Sequence, residues 1–272
     1  MATASFKFPG VRQLTAYAVS FAPLYAACFA SFAAFVWSEL FLHPRLSKQF
    51  RTDDPAISKS YVPQETVTNA QCLAIAFPLP VVVLSWWCWL GRDALVENRY
   101  MVHSYARVRK PEWVPARWHL YHASCVVLVL VLGINGVLTN GLKLAITNAR
   151  PDFLARCKPV DPTAPYVGYD QCSQSDKWIL YEGLKSTPSG HSSFAAAGLG
   201  FLYVWQTHHT RVSRVRHFWC PALCFLVMVS RVVDHRHHWY DVLAGAALGA
   251  AVSGLAWTKW MREEPVEPVL PV

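Results

Sequence analysis

The stretch Trp118–Pro151, WHLYHASCVVLVLVLGINGVLTNGLKLAITNARP, decides how the rest of the chain is read. From Trp118 to Leu142 it is an apolar run long enough to cross a bilayer core of about 30 Å, which takes about 20 helical residues. It then delivers Lys143, Arg150 and Pro151 at the end of that run. A membrane span followed at once by ordered cations suggests a site at the rim of a membrane protein. The composition agrees: of 272 residues 53% are hydrophobic and only 15% charged, against roughly 25% charged in soluble domains.

Working outward, five further apolar runs complete about six spans: Thr15–Leu42, Asn69–Leu90, Ser192–Gln206, Phe218–Val233 and Val242–Trp260. The fold class expected is all-α, a polytopic membrane helix bundle. The fourth and fifth runs are short for a full crossing and are expected either to continue into the motifs beside them or to form a re-entrant hairpin. Trp86, Trp87, Trp89, Trp118, Trp205, Trp219, Trp257 and Trp260 sit near span ends, where aromatic belts form. Pro23, Pro78, Pro80 and Pro221 fall inside spans as kinks. Residues 1–262 read as one membrane-embedded domain with a motif core over 118–260, and 263–272 as a disordered cytoplasmic tail.

Basic residues orient the bundle. Arg92, Arg99, Arg107, Arg109, Lys110 and Arg117, with Arg211, Arg214 and Arg216, share the side of both termini, which the positive-inside rule places in the cytoplasm. The net charge of +8 suits anionic headgroups of bilayer lipids. No basic stripe with interleaved aromatics lies outside the apolar runs, so nucleic acid is not expected as a partner. Six cysteines lie within spans as small apolar residues. Cys157 and Cys172 share the loop after the third span, where they are either bridged, if that loop is luminal or extracellular, or two free thiols.

Two more strings complete the pattern: Pro188-Ser189-Gly190-His191 before the fourth span, and Ser230-Arg231 with His237 and Asp241 between the fifth and sixth. Strings one and two share a loop, and two crossings separate strings two and three, so parity brings all three to one membrane face. Lys143 and Arg150, seven apart, project from nearly one face if the helix continues until Pro151 ends it. Arg150 is a planar fork for two phosphate oxygens and Lys143 a point charge; taken alone, both also read as snorkelling bases. Ser189 and Gly190 read as a helix start whose free N–H groups face an anion, with His191 placed to donate a proton. Arg231 adds a third clamp. His237 and Asp241, four apart, share a helical face if a helix covers them, so that the carboxylate fixes the tautomer of a nucleophilic imidazole. The run Asp234-His235-Arg236-His237-His238 also invites a metal reading, which the intervening Arg236 and the other cations disfavour. His235, His238, His208 and His209 are expected to face solvent or headgroups.

The pattern Lys143-x6-Arg150-Pro151, Pro188-Ser189-Gly190-His191 and Ser230-Arg231-x5-His237-x3-Asp241 resembles the three-part signature of the phosphatidic acid phosphatase superfamily. The run Arg150-Pro151-Asp152-Phe153-Leu154 followed by Cys157 is similar to its lipid phosphate phosphatase and diacylglycerol pyrophosphate phosphatase branch. The resemblance implies a phosphoryl group held by Lys143, Arg150, Ser189, Gly190 and Arg231. It implies attack by His237 to give a phosphohistidine, with Asp241 orienting that ring and His191 protonating the leaving group. It calls for no cofactor and no metal, and it implies a lipid phosphate substrate met at the non-cytosolic face of a multi-pass protein of an endomembrane or the plasma membrane. Polyprenyl diphosphate and sugar-phosphate phosphatases share the signature, as do soluble vanadium-dependent haloperoxidases, against which the spans speak. A non-catalytic lipid-binding protein is the alternative of a different class.

Overall fold

In a computed structural model, residues 10–96 and 104–262 are described. Arg99 and the tail 263–272 lie outside them. The first expected span is two helices, α1 (Val11–Ser20) and α2 (Ala22–Phe41), because Pro23 in the first turn of α2 cannot donate back to the preceding turn. The second breaks likewise: α3 (Asn69–Ala76), capped by the Thr68 side chain, meets α4 (Pro78–Trp89) at Phe77, immediately before Pro78.

The third span is α5 (Ala116–Ile146), 31 residues or about 46 Å at 1.5 Å per residue. That exceeds the hydrocarbon thickness of about 30 Å, and Lys143 lies in its last turn. It ends at Ile146 with left-handed Thr147, not at Pro151. Pro151 instead precedes the short helix α6 (Phe153–Cys157). A further helix, α7 (Lys177–Gly183), leads to α8 (Gly190–His209), which is 20 residues long because the motif itself forms its first turn. The fifth span gains a 3-10 turn, Arg214–His217, ahead of α9 (Trp219–Val233), for 20 residues in all. The sixth, α10 (Trp239–Ala256), runs on as a π turn to Met261.

Five of these six spans are long and apolar enough to cross a membrane. The exception, α8, is the central helix: Phe194, Ala195, Ala197, Leu199, Phe201, Leu202 and Trp205 are all buried, and it also carries buried Ser192, Ser193 and Gln206. A helix enclosed by protein can carry polar groups that a lipid-facing one cannot. Phe29, Val82, Leu226 and Leu255, by contrast, are exposed on the outer helices, as a lipid contact surface requires. His209 departs from expectation in the same way: it is buried against Trp205 and Trp257, while His208 is half-buried beside Trp257.

Close packing of α10 on α8 seats the third string against the second. A Cβ at Gly249 would stand 2.1 Å from the Ser193 carbonyl oxygen, and one at Gly245 2.4 Å from that of Ser189. Only glycine allows this approach, and the Ser189 N–H donates to the Asp241 carbonyl at 3.0 Å.

Among the described residues the all-α expectation holds apart from two small two-stranded ladders. In one, β1 (Gln49–Arg51) pairs antiparallel with Tyr166–Gly168, fastening the loop after α2 to the loop after α5; the other joins Ser104–Tyr105 to Val108–Arg109. The first covers a second, smaller core of Ile57, Ala149, Phe153, Cys157, Val167, Leu180 and Leu184. Cys157 and Cys172 are disulfide-bonded across 15 residues, a closure worth about 3 kcal/mol by loop entropy. The remaining six cysteines are free.

Candidate active site

Where α5, α8 and α9 end on one side of the bundle, they enclose a cavity of about 260 Å³. Lys143, Arg150, Gly190, His191, Arg231 and His237 all line it, so the three strings converge as parity requires. Ser189 and Asp241 do not line it. Ser189 is fully buried and caps α8, its hydroxyl accepting from the Ser192 N–H.

Arg150 reaches the cavity by a different route from the one expected. Because the helix stops at Ile146, no shared helical face carries it beside Lys143; its backbone N–H donates to the Gly183 carbonyl at 2.8 Å, tying it to α7. Its guanidinium then donates to Glu182 at 3.0 Å. Glu182 also meets Lys185 Nζ at 3.0 Å. Burial alone would raise the Glu182 pKa, but Arg150, Lys143 and Lys185 together hold it at about 2, so it stays ionised.

The turn between α9 and α10 sets the third string. His235 is left-handed, with φ of 55°, which folds the chain back so that the N–H groups of Arg236 and His237 both donate to the Arg231 carbonyl, at 3.0 and 3.2 Å. His237 therefore precedes α10 instead of lying on it. Its Nδ1 sits 2.8 Å from the Ser186 carbonyl, which can only accept, so Nδ1 carries the proton and Nε2 keeps the lone pair. Burial first, then the positive charges of Arg150 and Lys143 and the nearby His191, hold the His237 pKa well below 6.5. The ring is neutral and nucleophilic at physiological pH.

Asp241 does not bond His237, contrary to the four-residue spacing argument. One oxygen accepts from the Ser186 hydroxyl at 2.6 Å and from the His238 N–H and Nδ1 at 2.9 and 3.0 Å; the other accepts from the Thr187 hydroxyl. It thus orients His237 at one remove, by clamping the residue whose carbonyl holds the ring. His238, expected at the surface, is half-buried between Asp241 and the Ala56 carbonyl, and His235 meets the Ser60 carbonyl. The histidine-rich run therefore splays in separate directions: His237 to the cavity, Asp234 to Arg231 and Thr66, His238 to Asp241.

Arg231, expected as a clamp, has partners that the sequence did not show, and Arg236, Tyr61, Glu39, Glu65 and Glu182 escaped the sequence reading. Arg231, 1% exposed, donates to Glu65 at 2.9 Å and to Asp234 at 2.6 Å. Arg236 lines the cavity, 3.2 Å from Glu65 and stacked over the Tyr61 ring. Glu39, Glu65 and Glu182 put carboxylates among the cations. Arg236 stood in view as part of the histidine-rich run, but Glu65 and Tyr61 lie in a loop with no motif spacing.

Comparison with known proteins agrees with this geometry. The model of the PAP2 superfamily matches residues 124–264, and the chain belongs to that superfamily. It is 46% identical over 233 residues to lipid phosphate phosphatase 1 of Saccharomyces cerevisiae, covering 83% of each chain. It is 29% identical over 213 residues to diacylglycerol pyrophosphate phosphatase 1 of the same yeast, covering 74% of this chain and 67% of that one. Lipid phosphate phosphatase 2 of Arabidopsis thaliana is 36% identical over 162 residues, covering 56% and 54%. These relatives bear out the lipid phosphate phosphatase branch. No solved structure matches the chain.

Proposed function

We propose that this integral membrane protein hydrolyses phosphomonoester or pyrophosphate groups of lipid phosphates through a phosphohistidine intermediate. The observation that carries the reading is the His237 ring, its proton committed to Ser186, facing a cavity shared with His191, Lys143, Arg150 and Arg231. The cations hold the phosphoryl oxygens and stabilise the charge spread over them in the transition state. His237 Nε2 attacks phosphorus as the P–O bond breaks, and protonated His191 gives its proton to the departing oxygen. Neutral His191 then takes a proton from water, which attacks the phosphohistidine and releases inorganic phosphate. Arg236 adds a further cation to the cavity wall. Phe35, Cys72, Leu73 and Phe194 complete the wall with apolar surface suited to the lipid ester.

The disulfide loop supports a luminal or extracellular site, with both termini cytoplasmic and residues 263–272 a cytoplasmic tail. One experiment tests the chemistry: phosphate release from phosphatidate in detergent micelles with EDTA present, as a function of pH. Activity is expected to survive the chelator. Because the His237 pKa is depressed, the enzyme's own acid limb in kcat/KM falls below pH 6.5, and protonation of the nucleophile abolishes activity only beneath it. Loss in EDTA, or an acid limb of enzyme origin above pH 6.5, contradicts the scheme.

A further inference from the structure

The loop Ala56–Thr68, outside all three strings, lies against the site along its whole length. The Ala56 carbonyl meets His238, that of Ser60 meets His235, and that of Val62 accepts from Arg236 at 2.9 Å. Thr66 donates twice to Asp234. At its end the Val67 carbonyl lies 3.1 Å from His191 Nε2, so that nitrogen donates to it. Between these contacts stands Glu65. One of its oxygens is 2.9 Å from Arg231 and 4.0 Å from the same His191 Nε2; the other is 3.2 Å from Arg236.

A proton donor in this cavity faces an electrostatic problem. Arg231, Lys143 and Arg150 line the same cavity as His191, and like charge close by opposes a positive charge on its ring. Among the described residues, Glu65 is the carboxylate within ion-pair distance of that ring, at 4.0 Å. Glu182 and Glu39, which also line the cavity, are engaged with Arg150 and Lys185. We infer that Glu65 is a positioning residue for His191, fixing the ring at its Nε2 edge together with Val67 and stabilising the imidazolium that must give up a proton to the leaving oxygen.

No proton passes to Glu65 in this scheme. With Nε2–H held by the loop, the proton delivered to the alkoxide is the one on Nδ1, and the carboxylate remains ionised throughout. Glu65 also holds Arg231 and Arg236 on the same two oxygens, so it links the donor to two of the cations around the phosphoryl group. The inference rests on His191 being the proton donor, and its test separates the two.

The test compares turnover of phosphatidate, whose alkoxide leaves poorly, with turnover of a nitrophenyl phosphate, whose phenoxide leaves without a proton. Wild type, Glu65→Gln and His191→Ala are assayed in the same micelles. A donor's loss is felt only by the poor leaving group, and general acid catalysis contributes about 10²–10⁴-fold. His191→Ala should lower the phosphatidate-to-nitrophenyl ratio by that order, and Glu65→Gln by about tenfold or more on the same grounds, over any loss common to both substrates. An unchanged ratio in Glu65→Gln, beside a collapsed one in His191→Ala, overturns the role of Glu65. An unchanged ratio in His191→Ala overturns the donor assignment beneath it. Should Glu65→Gln fail to elute as a folded particle, Glu65→Asp keeps the charge at a longer reach: an intermediate ratio supports the inference and an unchanged one overturns it.

Discussion

His237→Ala is expected to lower phosphate release from phosphatidate by about 10⁴-fold or more, the scale on which loss of a covalent nucleophile is felt. The expectation follows from how the ring is held. Among the described residues the ring's hydrogen bond is from Nδ1 to the Ser186 carbonyl, which leaves Nε2 available for attack. The substitution removes that nitrogen while leaving the Arg231, Asp234 and Asp241 networks intact, and the variant should elute and melt much as wild type does. A folded His237→Ala protein with wild-type turnover would remove the nucleophile from the scheme.

Arg231→Ala is expected to fail in two ways at once. Arg231 is 1% exposed and pairs with Glu65 and Asp234 while lining the cavity. Removing a guanidinium that stabilises a phosphoryl transition state costs about 10³–10⁵-fold in rate. Breaking a buried pair from one side also costs about 3–5 kcal/mol of stability, because Asp234, 4% exposed at its side chain, is left without its charge partner. Both losses are measurable, as kcat/KM on phosphatidate and as the thermal midpoint in detergent. Arg231→Lys keeps the charge but not the planar fork that reaches Glu65, Asp234 and Ser230 in three directions, so it should recover stability in part and rate hardly at all. Full rate in the lysine variant would show that charge alone suffices.

How far the sequence could be read depends on whether an interaction is local. The apolar runs were legible as spans because a bilayer imposes length and hydropathy on each segment separately. The three strings were legible because each sits beside a span, and parity then assigns them one face. What failed were inferences that assumed helix where the chain turns. Lys143 and Arg150 share no helical face because Thr147 ends the helix in a left-handed conformation. His237 and Asp241 are not partners because His235 turns the chain before α10 begins at Trp239. A single left-handed residue that is not glycine leaves no compositional trace.

The carboxylates were hidden for another reason. Glu65 stands 166 residues from Arg231, to which it is hydrogen-bonded, and Glu182 is 32 from Arg150. Nothing in the polar loop around Glu65 marks it before the fold brings it to the cavity. Clustered cations repel one another, and Glu39, Glu65 and Glu182 among them offset that repulsion. A search of the sequence for the phosphate's partners finds the cations and overlooks the groups that hold them.

The most direct measurement traps the intermediate. Phosphatidate labelled with ³²P in its phosphate is mixed with the detergent-solubilised protein and quenched in alkali within a turnover, and the label is mapped on the chain. The account predicts an alkali-stable, acid-labile phosphoryl group on His237, present in wild type and absent from His237→Ala. Label on any other residue, or hydrolysis proceeding with no covalent label at any time, would contradict it.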